Sequence, residues 1–223
     1  MLDPGIKILL SYLIGSIMGS MTMGYLRGGV DIRTMGSGNA GSTNALRTQG
    51  WLFAVGVIVI DVGKGVFATG VVPGLNLPFS GVDPAITAEW LTISCAAAAV
   101  AGHVWPAWHK FKGGKGAATL IGTLIVLAPG IVLPLLLIWA WMLVLFGFVG
   151  LATMTTGVAA PLYLGLTRLP HDQMLFYYCL AMALYMIYSH RANISRMRAG
   201  TEPKNTRLMI FHRKDKNSSD GNS

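Results

Sequence analysis

No charged side chain interrupts the chain between Ala117 and Leu166. A soluble domain would need a polar surface over such a run, and this chain lacks the residues to build one. Only 12% of its 223 residues are charged, about half of the roughly 25% usual in soluble domains. Hydrophobic residues make up 53%, with a mean hydropathy of +0.56. Lipid is the better solvent for such a sequence, and the length fits one domain.

The net charge of +8 would suit a nucleic-acid binder, but the distribution of the cations excludes one. Nearly all lie in three segments between or after apolar blocks, with none of the spread a basic groove requires. Cys95 and Cys179 fall inside apolar blocks without a CxxC or Cys/His cluster. They read as buried small residues, and no metal site is expected. A span takes about 20 mostly apolar residues, which places spans near 6–26, 51–73, 85–103, 116–130, 131–149, 151–167 and 172–190. The first continues past the length of a signal-peptide core and is expected to be retained. Pro129-Gly130 and Gly147 to Gly150 are the natural turn points of the long apolar stretch.

The expected fold is an all-α integral membrane protein, a seven-span helical bundle with five spans as the alternative. Lys and Arg mark the cytoplasmic side of such proteins. Segment 27–50 carries Arg27, Arg33 and Arg47, segment 104–116 carries Lys110, Lys112 and Lys115, and the tail carries eight cations from Arg191 to Lys216. Either span count puts all three on the cytoplasmic side with the N-terminus outside. Residues 1–212 form the transmembrane domain, and 213–223 read as a disordered polar tail. Asp61 and Lys64, at i, i+3 inside the second span, are expected to pair with each other in a structural role.

Three segments can carry chemistry. Gly36 to Arg47 (GSGNAGSTNALR) alternates glycines with hydroxyls and amides and ends in a cation, the composition of an anion cradle, although a polar loop leading into a capped helix reads the same way. Gly102 to Gly116 (GHVWPAWHKFKGGKG) interleaves lysines and glycines before an apolar helix. It misses the Walker A spacing and has no preceding strand. What remains is an anion site of glycine N–H groups with Lys112 and Lys115 at a helix start. His190 to Lys204 (HRANISRMRAGTEPK) puts His190 and Asn193 on one helical face. A juxtamembrane basic cluster would explain its arginines but not that pair.

The three segments, in this order and on one side, resemble the signature regions of the PlsY family of bacterial acyl-phosphate:glycerol-3-phosphate acyltransferases, and the resemblance covers nearly the whole chain. It implies a seven-helix bundle in the bacterial inner membrane, with a cytoplasmic site. The implied reaction moves a fatty acyl group from acyl phosphate to the 1-hydroxyl of glycerol 3-phosphate, giving lysophosphatidic acid in phospholipid biosynthesis. No cofactor is implied, and a soluble PlsX-family enzyme supplies the donor, which implies transient contact with it. Carried onto this sequence, the catalytic residues are Ser37, Arg47, Lys115, His190 and Asn193. The substrate-binding residues are Gly38, Asn39, Thr43, Asn44, His103, Lys112, Gly113, Gly114, Gly116, Thr153 and Arg191. The donor's own phosphate takes the hydroxyl proton, with the histidines positioning. The family's Arg-Tyr-x-Ser-Leu-like stretch is replaced here by Gly147 to Thr153, which keeps only the Thr153 hydroxyl. From the residues alone, a transporter of a phosphorylated solute and a lipid-binding scaffold are the rival classes, although no internal repeat of the transporter kind is visible.

Overall fold

A computed structural model describes residues 2–77, 86–206 and 209–210; the expected tail, 213–223, lies outside them. The described residues form ten α-helices and three short 3₁₀ turns, with no strand among them. The helices are α1 (Leu2–Gly15), α2 (Gly19–Leu26), α3 (Ser42–Gln49), α4 (Trp51–Gly70), α5 (Ala88–Val104), α6 (Ala117–Leu127), α7 (Pro129–Phe146), α8 (Val149–Thr167), α9 (Gln173–Ser189) and α10 (Arg191–Arg198). In hydrocarbon every backbone polar group must be satisfied within the protein, so helices are the expected answer to this composition.

The long apolar stretch divides into three helices. Pro129 occupies the first turn of α7, where a missing N–H loses nothing, so the break falls at Ala128 just before it. Gly147 ends α7 in a left-handed conformation at φ 74°, a backbone state that glycine adopts without strain.

One expectation about spans needs correction. The first span is not one helix: α1 and α2 are bent by 48° at Ser16–Met18. Among the described residues, Trp51–Gly74, α7 and α8 are single elements long and apolar enough to cross a bilayer, as is the bent pair of α1 and α2, while α6 and α9 are shorter apolar helices. The 11 residues of α6 rise about 16 Å, roughly half of a hydrocarbon core, because the break before Pro129 cuts the apolar run short.

Packing divides into three buried groups. The largest joins α5 through α9 around Val100, Leu124, Leu135, Leu164 and Met186. A second packs α3 on α4 through Ile32, Ala45, Phe53 and Val57, and a third holds α5 against the end of α4 through Val72, Leu91 and Cys95. With lipid outside, helix association relies on close van der Waals approach between small residues. The α4–α6 contact shows it: a Cβ on Gly65 would lie 2.4 Å from the Thr119 carbonyl oxygen, with the Gly122 Cα at 3.2 Å.

That contact can be tested against its neighbour. Gly65→Ala forces α4 and α6 apart and is expected to destabilise the bundle by about 1–3 kcal/mol. Gly63→Ala, whose new methyl meets nothing within 4 Å, is expected to leave stability unchanged. Thermal unfolding of the detergent-solubilised variants reads the difference.

Candidate active site

The first segment folds as a stitched loop. Asn44, 1% exposed, holds it from within: its Nδ2 donates to the carbonyls of Ile32 (2.9 Å) and Met35 (3.0 Å), and its Oδ1 accepts from Ser37 N–H (2.9 Å). Asn44 is therefore bound to the loop backbone, a correction to its expected place in the substrate shell. Ser37, Gly38, Thr43 and Arg47 stay exposed, while Asn39 is half-buried. The side chains of Ser37 and Arg47 make no hydrogen bond or ion pair among the described residues. Arg33 joins this loop to the second segment, donating from Nη1 to the Lys112 carbonyl (3.2 Å).

The second segment turns back on the end of α5. Gly113 N–H donates to the Val104 carbonyl and Gly114 N–H to the His103 carbonyl, at 3.1 and 3.2 Å. These two N–H groups are used by the turn, so the expected cradle of glycine amides does not form there. The glycines serve packing instead: a Cβ on Gly113 would lie 2.0 Å from the His103 oxygen, and one on Gly114 2.3 Å from His103 Nε2. The N–H groups left without a partner among the described residues begin at Lys115 and continue through Gly116, in a left-handed conformation at φ 85°, into the first turn of α6. His103, expected to touch substrate, is 2% exposed. It lies beneath the loop with its Nδ1 2.9 Å from Lys64 Nζ and 3.4 Å from Asp61 Oδ1. The anticipated Asp61–Lys64 pair is present at 2.9 Å, so the network has three members where the sequence signalled two.

The third segment meets the second at Lys115. Its ammonium donates to Asn193 Oδ1, while Asn193 Nδ2 donates to Glu202 (2.6 Å), which also accepts from Arg196 Nε (2.6 Å). Burial pulls the Lys115 ammonium down to about 8, against the opposing pull of Glu202. His190, 4% exposed, donates from Nδ1 to the Met186 carbonyl (2.8 Å), which leaves Nε2 as an acceptor. Burial, helped by Lys115, pushes its pKa down to about 4. Arg191 points its guanidinium at its own neighbourhood, bonded to the Tyr188 carbonyl and stacked 4.4 Å over the Tyr188 ring.

An apolar cavity of about 500 Å³ adjoins these groups: its lining residue Ala117 follows Lys115 by two positions, and its lining residue Met186 is bonded to His190. Ser42 and Thr43 from the start of α3, Ala117 and Ala118 from the start of α6, and Val149 from the start of α8 all line it. Three helix N-termini thus converge on one opening, each favouring an anion by about 0.3–1 kcal/mol. Deeper, the lining is Leu124, Val132, Leu135, Ala160 and Cys179. Thr153, also on the wall, donates to the Val149 carbonyl and accepts from Trp139 Nε1 (3.2 Å). Sequence reasoning missed Glu202, Asn205 on the cavity rim, and the cavity itself. The one acidic side chain in the segment from His190 to Lys204 was the available sign for Glu202.

The family model for glycerol-3-phosphate acyltransferase matches residues 5–200. A glycerol-3-phosphate acyltransferase of Bacillus subtilis (strain 168) is 39% identical over 200 residues, covering 88% of this chain and 95% of that protein. One of Rippkaea orientalis is 37% identical, covering 90% and 92%. The crystal structure of PlsY (YgiH), an integral membrane glycerol 3-phosphate acyltransferase, in its glycerol 3-phosphate form, superimposes with a TM-score of 0.76 at 31% identity over 90% of this chain and 94% of that one. Its lysophosphatidic acid form gives 0.74 at 29% identity. A helical membrane-embedded enzyme is the class defined by the fold and the site. The chain belongs to the PlsY family of integral membrane glycerol-3-phosphate acyltransferases.

The position of Lys115 sets a pH dependence. Above about pH 8 it loses its proton, and a neutral amine has no charge to offer an anion. We expect kcat/KM to fall about tenfold per pH unit beyond that point. His190 stays neutral down to about pH 4 and adds no limb between. In Lys115→Arg, whose guanidinium stays charged, the alkaline limb is expected to move upward or vanish. A pH profile of both proteins checks this.

Proposed function

We propose that this enzyme moves a fatty acyl group from acyl phosphate to the 1-hydroxyl of glycerol 3-phosphate, forming lysophosphatidic acid and inorganic phosphate. The observation that carries the reading is the junction of an apolar cavity with three helix N-termini and the Lys115–Asn193–His190 cluster. A donor with a fatty chain and a phosphate joined at a reactive carbonyl matches both halves of that junction. Lys115 sits two residues before the lining residue Ala117, and His190 is bonded to the lining residue Met186, so the polar cluster and the cavity are continuous.

In the reaction the acyl chain occupies the cavity and the mixed anhydride lies at its mouth. The 1-hydroxyl oxygen attacks the acyl carbon, and the carbon–oxygen bond to phosphate breaks. The electron pair leaves with the phosphate, which also takes the hydroxyl proton. His190, with a pKa near 4, is a weak base at neutral pH. Its role is to accept a hydrogen bond that orients the hydroxyl, which agrees with proton transfer to the departing phosphate. Lys115, the start of α6 and Gly116 stabilise phosphate charge. Ser37, Gly38, Asn39, Thr43, Arg47 and Lys112 form the outer polar shell for the second phosphate. A good leaving group makes an enzyme nucleophile unnecessary, so positioning and charge stabilisation supply the catalysis. We assign the protein to the bacterial inner membrane as a seven-span domain over 1–212. Its N-terminus is outside, its site faces the cytoplasm, and a soluble PlsX-family enzyme delivers the donor.

Reconstituted protein is expected to release phosphate from palmitoyl phosphate only when glycerol 3-phosphate is present; silence from folded protein overturns the reading. Lys115→Ala is expected to lower turnover about 100-fold without unfolding the bundle. Leu124 lies farthest along α6 among the lining residues, so Leu124→Trp shortens the cavity from its inner end. Turnover measured over a series of acyl phosphates is expected to shift toward shorter chains.

A further inference from the structure

Three polar side chains, buried away from solvent, meet beneath the loop. Asp61 and Lys64 lie in the middle of α4, with side chains 2% and 4% exposed, and His103 ends α5 at 3%. Each reaches a different element. Asp61 Oδ1 accepts from Gly19 N–H (3.0 Å), the first residue of α2, and Lys64 Nζ donates to the Ile17 carbonyl (2.6 Å) on the other side of the α1–α2 break. Lys64 Nζ also stands 2.9 Å from His103 Nδ1. The His103 backbone carbonyl then accepts from Gly114 N–H, and the His103 ring fills the space where a Cβ on Gly114 would stand. One continuous path of polar contacts runs from the broken first helix, through α4, to the loop that carries Lys115.

Placing an ion pair inside a bundle is expensive, and a well-packed apolar pair often does as well or better for stability alone. The molecule already contains a comparison. Asp3 and Lys7 form another buried pair at 2.8 Å, both side chains 8% exposed, on α1 and outside this path. The Asp61–Lys64 pair differs in that both members bond backbone at a helix break and one member holds an imidazole under the loop. We infer that Asp61, Lys64 and His103 are positioning residues for the Gly113–Gly116 loop, so that engagement of a substrate phosphate depends on three buried side chains that do not contact it. The inference rests on the reading of that loop as a phosphate-binding end of the site.

The test compares four variants in the full-length, reconstituted enzyme: Asp61→Asn/Lys64→Met together, His103→Ala, His103→Asn, and Asp3→Asn/Lys7→Met as the control pair. Two readouts are used. Hydrogen exchange of the peptide spanning 104–116 reports the loop without reference to catalysis, and KM for glycerol 3-phosphate and for palmitoyl phosphate is measured separately from kcat. The paired Asp61/Lys64 variant and His103→Ala are expected to exchange the Gly113 and Gly114 amides at least tenfold faster. They are also expected to raise KM for one of the two substrates at least tenfold with kcat within threefold. His103→Asn, whose Oδ1 restores an acceptor for the Lys64 ammonium close to Nδ1, is expected to recover most of both, and the control pair to match wild type. Exchange and both KM values within threefold of wild type in the folded variants, or equal changes in the control pair, would overturn the inference. If the paired variant does not fold, the contrast between His103→Ala and His103→Asn decides. Absence of turnover in wild type would count against the proposed reaction, and the exchange readout alone would then decide the positioning role.

Discussion

A chain that dissolves in lipid must satisfy its backbone polar groups inside its own helices. Every helix nevertheless leaves N–H groups without intrahelical partners at its start. In this protein the positions of those starts determine the rest. The first residues of α3, α6 and α8 all line a single cavity. Buried N–H groups unpaired in hydrocarbon would be costly. Such N–H groups favour an anion, and Lys115, two residues before α6, adds positive charge near one of these helix starts.

The same constraint explains the buried ionic network. A break in a membrane helix exposes backbone donors and acceptors that something must meet. Here the break at Ser16–Met18 is met by Asp61 at Gly19 N–H and Lys64 at the Ile17 carbonyl. Transporters use broken helices of this kind to hold ions and solutes near the midplane. In this molecule the groups at the break are already occupied by side chains of α4. The apolar cavity opens elsewhere, at the helix starts. Among the described residues, the geometry that would favour a solute pathway has been filled from within.

Much of this was legible in the sequence because lipid enforces a simple pattern. Apolar blocks gave the helices, and Pro129 and Gly147 marked their divisions to within a residue or two. The candidate residues fell where cations and glycines interleave, and the second and third segments do meet, through Lys115 and Asn193. What could not be read was the direction of each group. Gly113 and Gly114 carry the composition of an anion cradle, yet their N–H groups turn back to α5. His103 and Asn44 are polar residues in polar segments, and only the path of the backbone shows them facing inward. Glu202 lies nine residues beyond Asn193, across the end of α10, a separation with no helical periodicity to reveal it. The bend between α1 and α2 was masked because Ile17 and Met18 continue the apolar pattern straight through it.

The stretch Gly147 to Thr153 departs from the family's pattern, and the structure shows what stands there. Thr153, its one retained hydroxyl, is bonded to Val149 and Trp139 on the cavity wall. A Cβ on Gly150 would press on Asn193 at 3.1 Å, so glycine there lets α8 approach the side chain that carries Lys115. The segment after α10 lies against the same turn: Asn205 N–H donates to the Gly147 carbonyl (2.8 Å), and Lys204 Nζ stands 5.1 Å from the centre of the Phe148 ring. Residues 204 and 205 fall beyond the 5–200 matched by the family model. Lys204 therefore places a cation beside a turn whose own residues carry none, and the contact between the end of the third segment and the start of α8 joins the two.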